Sequence, residues 1–293
     1  MLFILLSIFC STILVLLFRL FEKYNINTFQ AILFNYYTCV ASAWVTLGEF
    51  PIPSDLTSKN WFPFAIILGF TFITGFNAVG GTVRKFGVAL GSIMQKMTLL
   101  FVVIFSVIYY QESITWNKVL GILLSVAAIF MTSYSADNQE DTEKEKPTLT
   151  DWLMFPIASL LLSAVIDILL LYLQKSTGTD SADIGFIASL FGTAGCIGTL
   201  YFIYNLIAKK MTFDAKNIVA GIALGVPNFA SIYFLLKSIG QDIDGSVVFT
   251  MTNVGIIVAS TLAAWLFFKE KLSIFKIAGI AMAVTAILLM QMG

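Results

Sequence analysis

Ten times in 293 residues the sequence runs apolar for long enough to cross a bilayer as a helix. A hydrocarbon core of about 30 Å takes roughly 17–25 helical residues. The runs are Leu2–Phe18, Phe29–Leu47, Trp61–Val83, Val88–Tyr110, Lys118–Tyr134, Trp152–Leu173, Asp183–Leu206, Asn217–Leu236, Gly245–Phe268 and Ile274–Met292. Polar corners such as Glu22 to Thr28 and Lys209 to Lys216 are too short to hold a domain outside the membrane. Composition agrees, with 58% hydrophobic and 12% charged residues and a mean hydropathy of +0.90, where a soluble domain carries roughly 25% charge. The expected fold is an all-α polytopic membrane protein with ten transmembrane helices. Arg19 and Lys23 follow the first run instead of preceding it, so that run reads as an uncleaved first span and not as a signal peptide.

The gap from Ser135 to Thr150 differs from the other corners, because Asp137, Glu140, Asp141, Glu143, Lys144, Glu145, Lys146 and Pro147 crowd it without apolar periodicity. It reads as a solvated linker. The chain then divides into a five-helix unit over residues 1–134, a charged linker over 135–151 and a second five-helix unit over 152–293. An odd number of spans per unit makes the second unit enter the bilayer from the opposite side, so the halves are expected to be inverted repeats with both termini on one side. Val88 to Ala127 supports duplication: its corner, Glu112, Thr115, Lys118 and Gly121, returns as Glu270, Ser273, Lys276 and Gly279, each 158 residues later. Each carboxylate is placed to accept from the free N–H groups of the helix that follows, with Thr115 or Ser273 as a cap. Pairing of the carboxylates with Lys118 or Lys276 is the alternative, a gate. Gly121, Gly279, Gly87 with Gly91, and Gly221 with Gly225 let helices approach closely.

Orientation follows from counting cations. Loops on the side of the termini hold Lys59, Lys118, Lys175 and Lys237; the other side holds Arg19, Lys23, Arg84, Lys85, Lys144, Lys146, Lys209, Lys210, Lys216, Lys269, Lys271 and Lys276. The positive-inside rule puts the larger set in the cytoplasm and both termini outside.

Polar groups deep in the spans are the candidate site, since an intramembrane charge costs at least about 2.5–3.5 kcal/mol unless it meets a partner or a cavity. Lys96 lies eight residues into the fourth run, about 12 Å deep at about 1.5 Å per residue, and its counterpart 158 residues on is Val254. On the same scale Asn77 falls at about 9 Å, Asn228 at about 17 Å, Asn253 at about 18 Å and Asp167 at about 22 Å, a band near the midplane. Asn77 follows Gly75, and Asn228 follows Gly225 and Pro227; proline removes a helical donor and can open the helix toward a cavity or merely kink it. Gln95 and Ser92 flank Lys96, and Tyr36 and Tyr37 stand beside Asn35. Lys96 and Asp167, about 10 Å apart along the membrane normal, are expected to leave room for a zwitterion or for a coupling proton.

Other classes find little support. Net charge is zero, which gives nucleic acid no electrostatic footing. The chain has no histidine, and Cys10, Cys39 and Cys196 are isolated, so His-based metal sites, Ser-His-Asp triads and metal clusters are not expected. No cofactor is indicated, and no phosphate-cradling loop marks an ATP-driven pump. A passive channel or a non-transporting structural membrane protein is the alternative to a carrier.

Ten spans in two five-helix halves, with a Glu, hydroxyl and Gly corner before the last helix of each half, resemble the drug/metabolite transporter superfamily, most closely its EamA-like branch. The resemblance covers nearly the whole chain. It implies a multi-pass transporter of the inner membrane, working by alternating access around a central cavity lined mainly by spans 1, 3, 4, 6, 8 and 9. A small-molecule substrate is implied, with protons as candidate coupling ions. The resemblance also implies cytoplasmic termini, against the charge count; the corner from Gly48 to Asn60 departs from relatives in carrying only Lys59.

Overall fold

A computed structural model describes residues 1–86, 88–133, 148–176, 183–208, 212–241, 243–269 and 272–291. They form helices α1 (Leu2–Lys23), α2 (Thr28–Leu47), α3 (Phe62–Phe86), α4 (Val88–Lys96), α5 (Thr98–Tyr109), α6 (Trp116–Ser133), α7 (Leu149–Trp152), α8 (Ala158–Ser176), α9 (Ile184–Ile207), α10 (Ala215–Ile239), α11 (Gly245–Phe268) and α12 (Ile274–Gln291). A short 3-10 turn occupies Leu56–Ser58, and a π-helical turn around Pro156 joins α7 to α8. Each apolar run of the sequence is helical over most of its length among the described residues. Among the described residues, eight helical segments are long and apolar enough to cross a membrane, and Ile274–Met290 is a shorter apolar helix. α2 has the length, at 20 residues, but Gln30, Asn35, Thr38 and Ser42 dilute its apolar character.

One run is not a single rod. Val88–Tyr110 is interrupted at Met97, where the ladder changes register: Met97 N–H donates to Ile93 O (2.9 Å), whereas Leu100 N–H reaches only to Met97 O (3.1 Å). Pro227, in contrast, does not break α10, which continues through it. The proline removes one donor, and the rest of the ladder carries the helix past it.

Short polar side chains set the helix starts. Asn27 Oδ1 accepts from Gln30 N–H (3.1 Å), Asp183 Oδ1 from Phe186 N–H (3.1 Å) and Asp214 Oδ1 from Lys216 N–H (3.0 Å), each satisfying a donor that the first turn leaves free. α2 ends on Gly48, whose φ of 80° is the left-handed conformation that glycine adopts without penalty. The duplicated corner repeats in backbone as well as in sequence. Gln111 (φ 53°) and Lys269 (φ 55°), 158 residues apart, both take the left-handed conformation without being glycine. Thr115 Oγ1 accepts from Lys118 N–H and Ser273 Oγ from Lys276 N–H, both at 3.3 Å.

The helices assemble into two compact units. The first unites Met1–Ile73 with Leu169–Asp242. Within it α10 packs along α1 and α2, and α2 packs on α9. Gly221 and Gly225 allow the α10–α2 approach: a Cβ at Gly221 would lie 2.5 Å from Phe34 Cβ and 2.6 Å from Ala31 O, and one at Gly225 2.4 Å from Thr38 Cβ.

The second unit joins Thr74–Ile168 to Ile243–Gly293. Its core holds Met97, Leu99 and Ile129 with Leu160 and Ile257 against them, and Ala128, Val254 and Ala283 beside Val258 and Met282. α6 and α12 lie along each other, and their glycines make reciprocal contacts. A Cβ at Gly121 would meet Met290 Cγ at 2.7 Å and Ala286 O at 3.2 Å; one at Gly279 would meet Thr132 Cγ2 at 2.7 Å and Ala128 O at 3.2 Å. All three pairs, 121 with 279, 128 with 286 and 132 with 290, stand 158 residues apart.

Candidate functional site in the second unit

The interruption at Met97 positions the site. Lys96 is the last residue of α4 and Thr98 the first of α5. Lys96 Nζ donates to Asn253 Oδ1 of α11 (3.2 Å), and the ammonium dictates that the oxygen of that amide faces it. Asn253 is buried, whereas Lys96 keeps partial exposure. A lysine ammonium has three donors; among the described residues a single hydrogen bond occupies it. Its counterpart by offset, Val254, is 1% exposed inside the apolar cluster with Ala128 and Ala283, so the same register carries a charge in one half and core packing in the other.

Asp167, on α8, gains a partner that the sequence did not reveal. Thr98 Oγ1 donates to Asp167 Oδ2 (2.6 Å) and also lies 3.0 Å from the Gln95 carbonyl oxygen. Asp167 is partly exposed, as Lys96 is. Gln95 therefore enters through its backbone, while its side chain is exposed. Ser92 lies one helical turn before Lys96 and is half-buried. Asn77 is an exposed residue of α3 in this same unit. Three further hydroxyls of the unit, on Ser106, Ser159 and Thr252, are buried without a hydrogen-bond partner among the described residues.

Asn228 and Tyr36 belong to the first unit. Asn228 Nδ2 donates to Asn35 Oδ1 (3.1 Å), which also receives the Cys39 thiol (3.7 Å). Tyr36 is 1% exposed and stacked on Phe191 with ring centroids 5.9 Å apart, its hydroxyl meeting no partner among the described residues. Tyr37 is exposed and donates to Gly195 O (3.2 Å).

The corner motif also reaches a helix distant in sequence. The Glu112 carboxylate accepts from Gly245 N–H (2.7 Å), Ser246 N–H (3.2 Å) and Ser246 Oγ (2.5 Å) at the start of α11. Two outward N–H groups and the positive end of the helix dipole make that terminus a better seat for an anion than a helix start already capped by Thr115. Lys118 pairs with Asp244, just before α11, and donates to Ser113 O (2.9 Å). The corner is thus a clasp on α11. Glu270, the second copy of the carboxylate, lies outside the described residues, as does Gly87. Ser273 and Gly279 keep the capping and packing contacts given above.

Comparison with known proteins places this geometry. The chain is 26% identical over 290 residues, covering 96% of it and 94% of the relative, to a protein of Haemophilus influenzae described as an "uncharacterized protein". A solved crystal structure shares the fold at a TM-score of 0.76 and 12% identity, covering 98% of this chain and 94% of that one. Residues 1–134 match the model of the EamA-like transporter family. The resemblance read from the sequence is therefore met over that first stretch, and the long apolar helices mark a multi-pass membrane protein.

Proposed function

We propose that the protein is a secondary transporter that moves a small anionic or zwitterionic metabolite by alternating access, with Lys96 as the group that holds the anion. The observation that carries this reading is the bonding of Lys96. Its ammonium rests on a neutral amide oxygen, Asn253 Oδ1 at 3.2 Å, within an apolar run and with donors to spare. A lysine kept only for structure is best paired with a carboxylate, because an uncompensated charge in lipid is costly. A carboxylate or phosphate of the substrate completes the site. Asp167 then takes the cationic part of a zwitterion or a coupling proton, with Asn253 orienting the substrate.

Ten spans arranged as two inverted five-helix repeats fit this reading. Gln111 and Lys269, Thr115 and Ser273, and the reciprocal glycine contacts all keep the 158-residue offset, as expected of a duplicated unit. By the charge count the 135–151 linker is cytoplasmic and both termini are outside; an impermeant thiol reagent on a single cysteine at Asn138 in intact cells reports the side.

A thermal-shift screen of the purified protein against carboxylates, phosphates and amino acids selects the ligand, since one that binds the folded state alone raises apparent stability. The selected compound should then accumulate in reconstituted liposomes in a saturable manner. Lys96→Met should abolish both its uptake and its thermal shift while leaving helicity and elution volume unchanged. Uptake by Lys96→Met equal to that of the parent overturns the assignment.

A further inference from the structure

We propose that Thr98 is a positioning residue that couples the protonation of Asp167 to the interruption between α4 and α5. The inference rests on the transport reading only for its purpose; its chemistry stands on three atoms. Thr98 Oγ1 lies 2.6 Å from Asp167 Oδ2 and 3.0 Å from Gln95 O. A hydroxyl has one hydrogen to donate and lone pairs to accept, so it cannot donate fully to both oxygens at once.

The charge on Asp167 decides which oxygen receives it. With Asp167 ionised, both carboxylate oxygens are acceptors only, and the Thr98 hydrogen points at Oδ2. The Gln95 carbonyl is then left at an interrupted ladder: its α-helical donor would be the Leu99 N–H, and the backbone bonds across the junction, among the described residues, run from Met97 to Ile93 and from Leu100 to Met97. When hydronium gives a proton to Oδ2 and leaves as water, the new O–H donates to Thr98 Oγ1. The Thr98 hydrogen turns to Gln95 O and closes the chain Asp167 to Thr98 to Gln95. Loss of the proton reverses each step, and no other bond forms or breaks.

The consequence reaches Lys96 through the backbone. Gln95 immediately precedes Lys96, and Thr98 follows the interruption by one residue, so the hydroxyl links the last turn of α4 to the first of α5. Protonation of Asp167 clamps that junction, and ionisation releases it. Lys96 is the other charged group at the junction. The remaining described charges of the unit with described side chains are engaged elsewhere or lie at helix ends: Lys85 with Asp151, Lys118 with Asp244, Glu112 on the start of α11, and Lys269 and Lys276 at the corner before α12.

Infrared difference spectra of the purified full-length protein between high and low pH test this without knowledge of the substrate. A carboxylic C=O band should appear on acidification and be missing from Asp167→Asn. Thr98→Val, which keeps the shape and removes the hydroxyl, should move that band to higher wavenumber, and Thr98→Ser should leave it in place. With glutamine labelled at its carbonyl carbon, the signal that Gln95→Met lacks should shift with the same midpoint as the carboxyl band. A band unmoved by Thr98→Val, a Gln95 carbonyl indifferent to pH, or no carboxyl band at any pH where the protein stays folded overturns the proposal. The comparison of Thr98→Val with Thr98→Ser stands even if Asp167→Asn does not fold. Spectra that behave as expected beside a failed liposome assay sink the transport reading and leave the relay.

Discussion

Each unit ties together helices distant in sequence, but by different chemistry. In the first, neutral amides do it: Gln30 Nε2 donates to Thr212 O (2.6 Å), Asn217 Nδ2 to Gln30 Oε1 (2.9 Å) and Asn27 N–H to Asn217 Oδ1 (2.9 Å), joining the starts of α2 and α10. In the second, charges do it: Glu112 holds the start of α11, and Lys118 is paired with Asp244. The amide clasp matches donors to acceptors among its own members. The charged clasp depends on a helix terminus to complement its carboxylate, and removing that carboxylate strands several buried donors at once. Charge within the apolar runs follows the same division, since Lys96 and Asp167 both belong to the second unit, while Asn35 and Asn228 of the first are neutral and bonded to each other. Polar groups that satisfy one another hold helices together; polar groups with capacity left over are the ones available to a ligand.

Three substitutions sharpen or break this contrast, measured as unfolding free energy in detergent. The largest loss is expected for Glu112→Ala, about 3 kcal/mol or more, because Gly245 N–H, Ser246 N–H and the Ser246 hydroxyl all lose a charged acceptor while buried. Gln30→Ala should cost less, about 1–3 kcal/mol, since the stranded partners are neutral and sit at helix ends. If the two losses prove equal, the charged and neutral clasps are equivalent and the distinction fails. Glu112→Gln should be the mildest, about 1 kcal/mol, because one oxygen still accepts and only charge and one acceptor are lost.

Much of this was legible in the sequence, and the exceptions have identifiable causes. Apolar runs fixed the helices because lipid leaves the backbone few choices. Lys96 and Asn253 emerged from depth alone, since a polar group in a 20-residue apolar run is conspicuous. Thr98 did not. A threonine in a span is commonplace, its hydroxyl able to bond its own preceding turn, and only the fold brings Asp167 to it. The interruption at Met97 carries neither proline nor glycine, while Pro227, which advertises one, sits in a continuous helix. The reach of Glu112 to α11 is not legible, because local spacing cannot register a partner 133 residues away. The left-handed Gln111 and Lys269 were equally silent, since neither residue type announces a positive φ.

The seam between α6 and α12 has one more consequence. Gly121 seats against residues 286 and 290, and Gly279 against 128 and 132, so the two sides exchange the same contact. An interface of that kind is isologous: it consumes the surface that creates it. A helix face that has found its own duplicate within the chain offers nothing to a third partner, and the seam cannot propagate into rows or filaments of molecules in the plane of the membrane. Any higher assembly of this protein has to be built from surfaces other than Gly121 and Gly279.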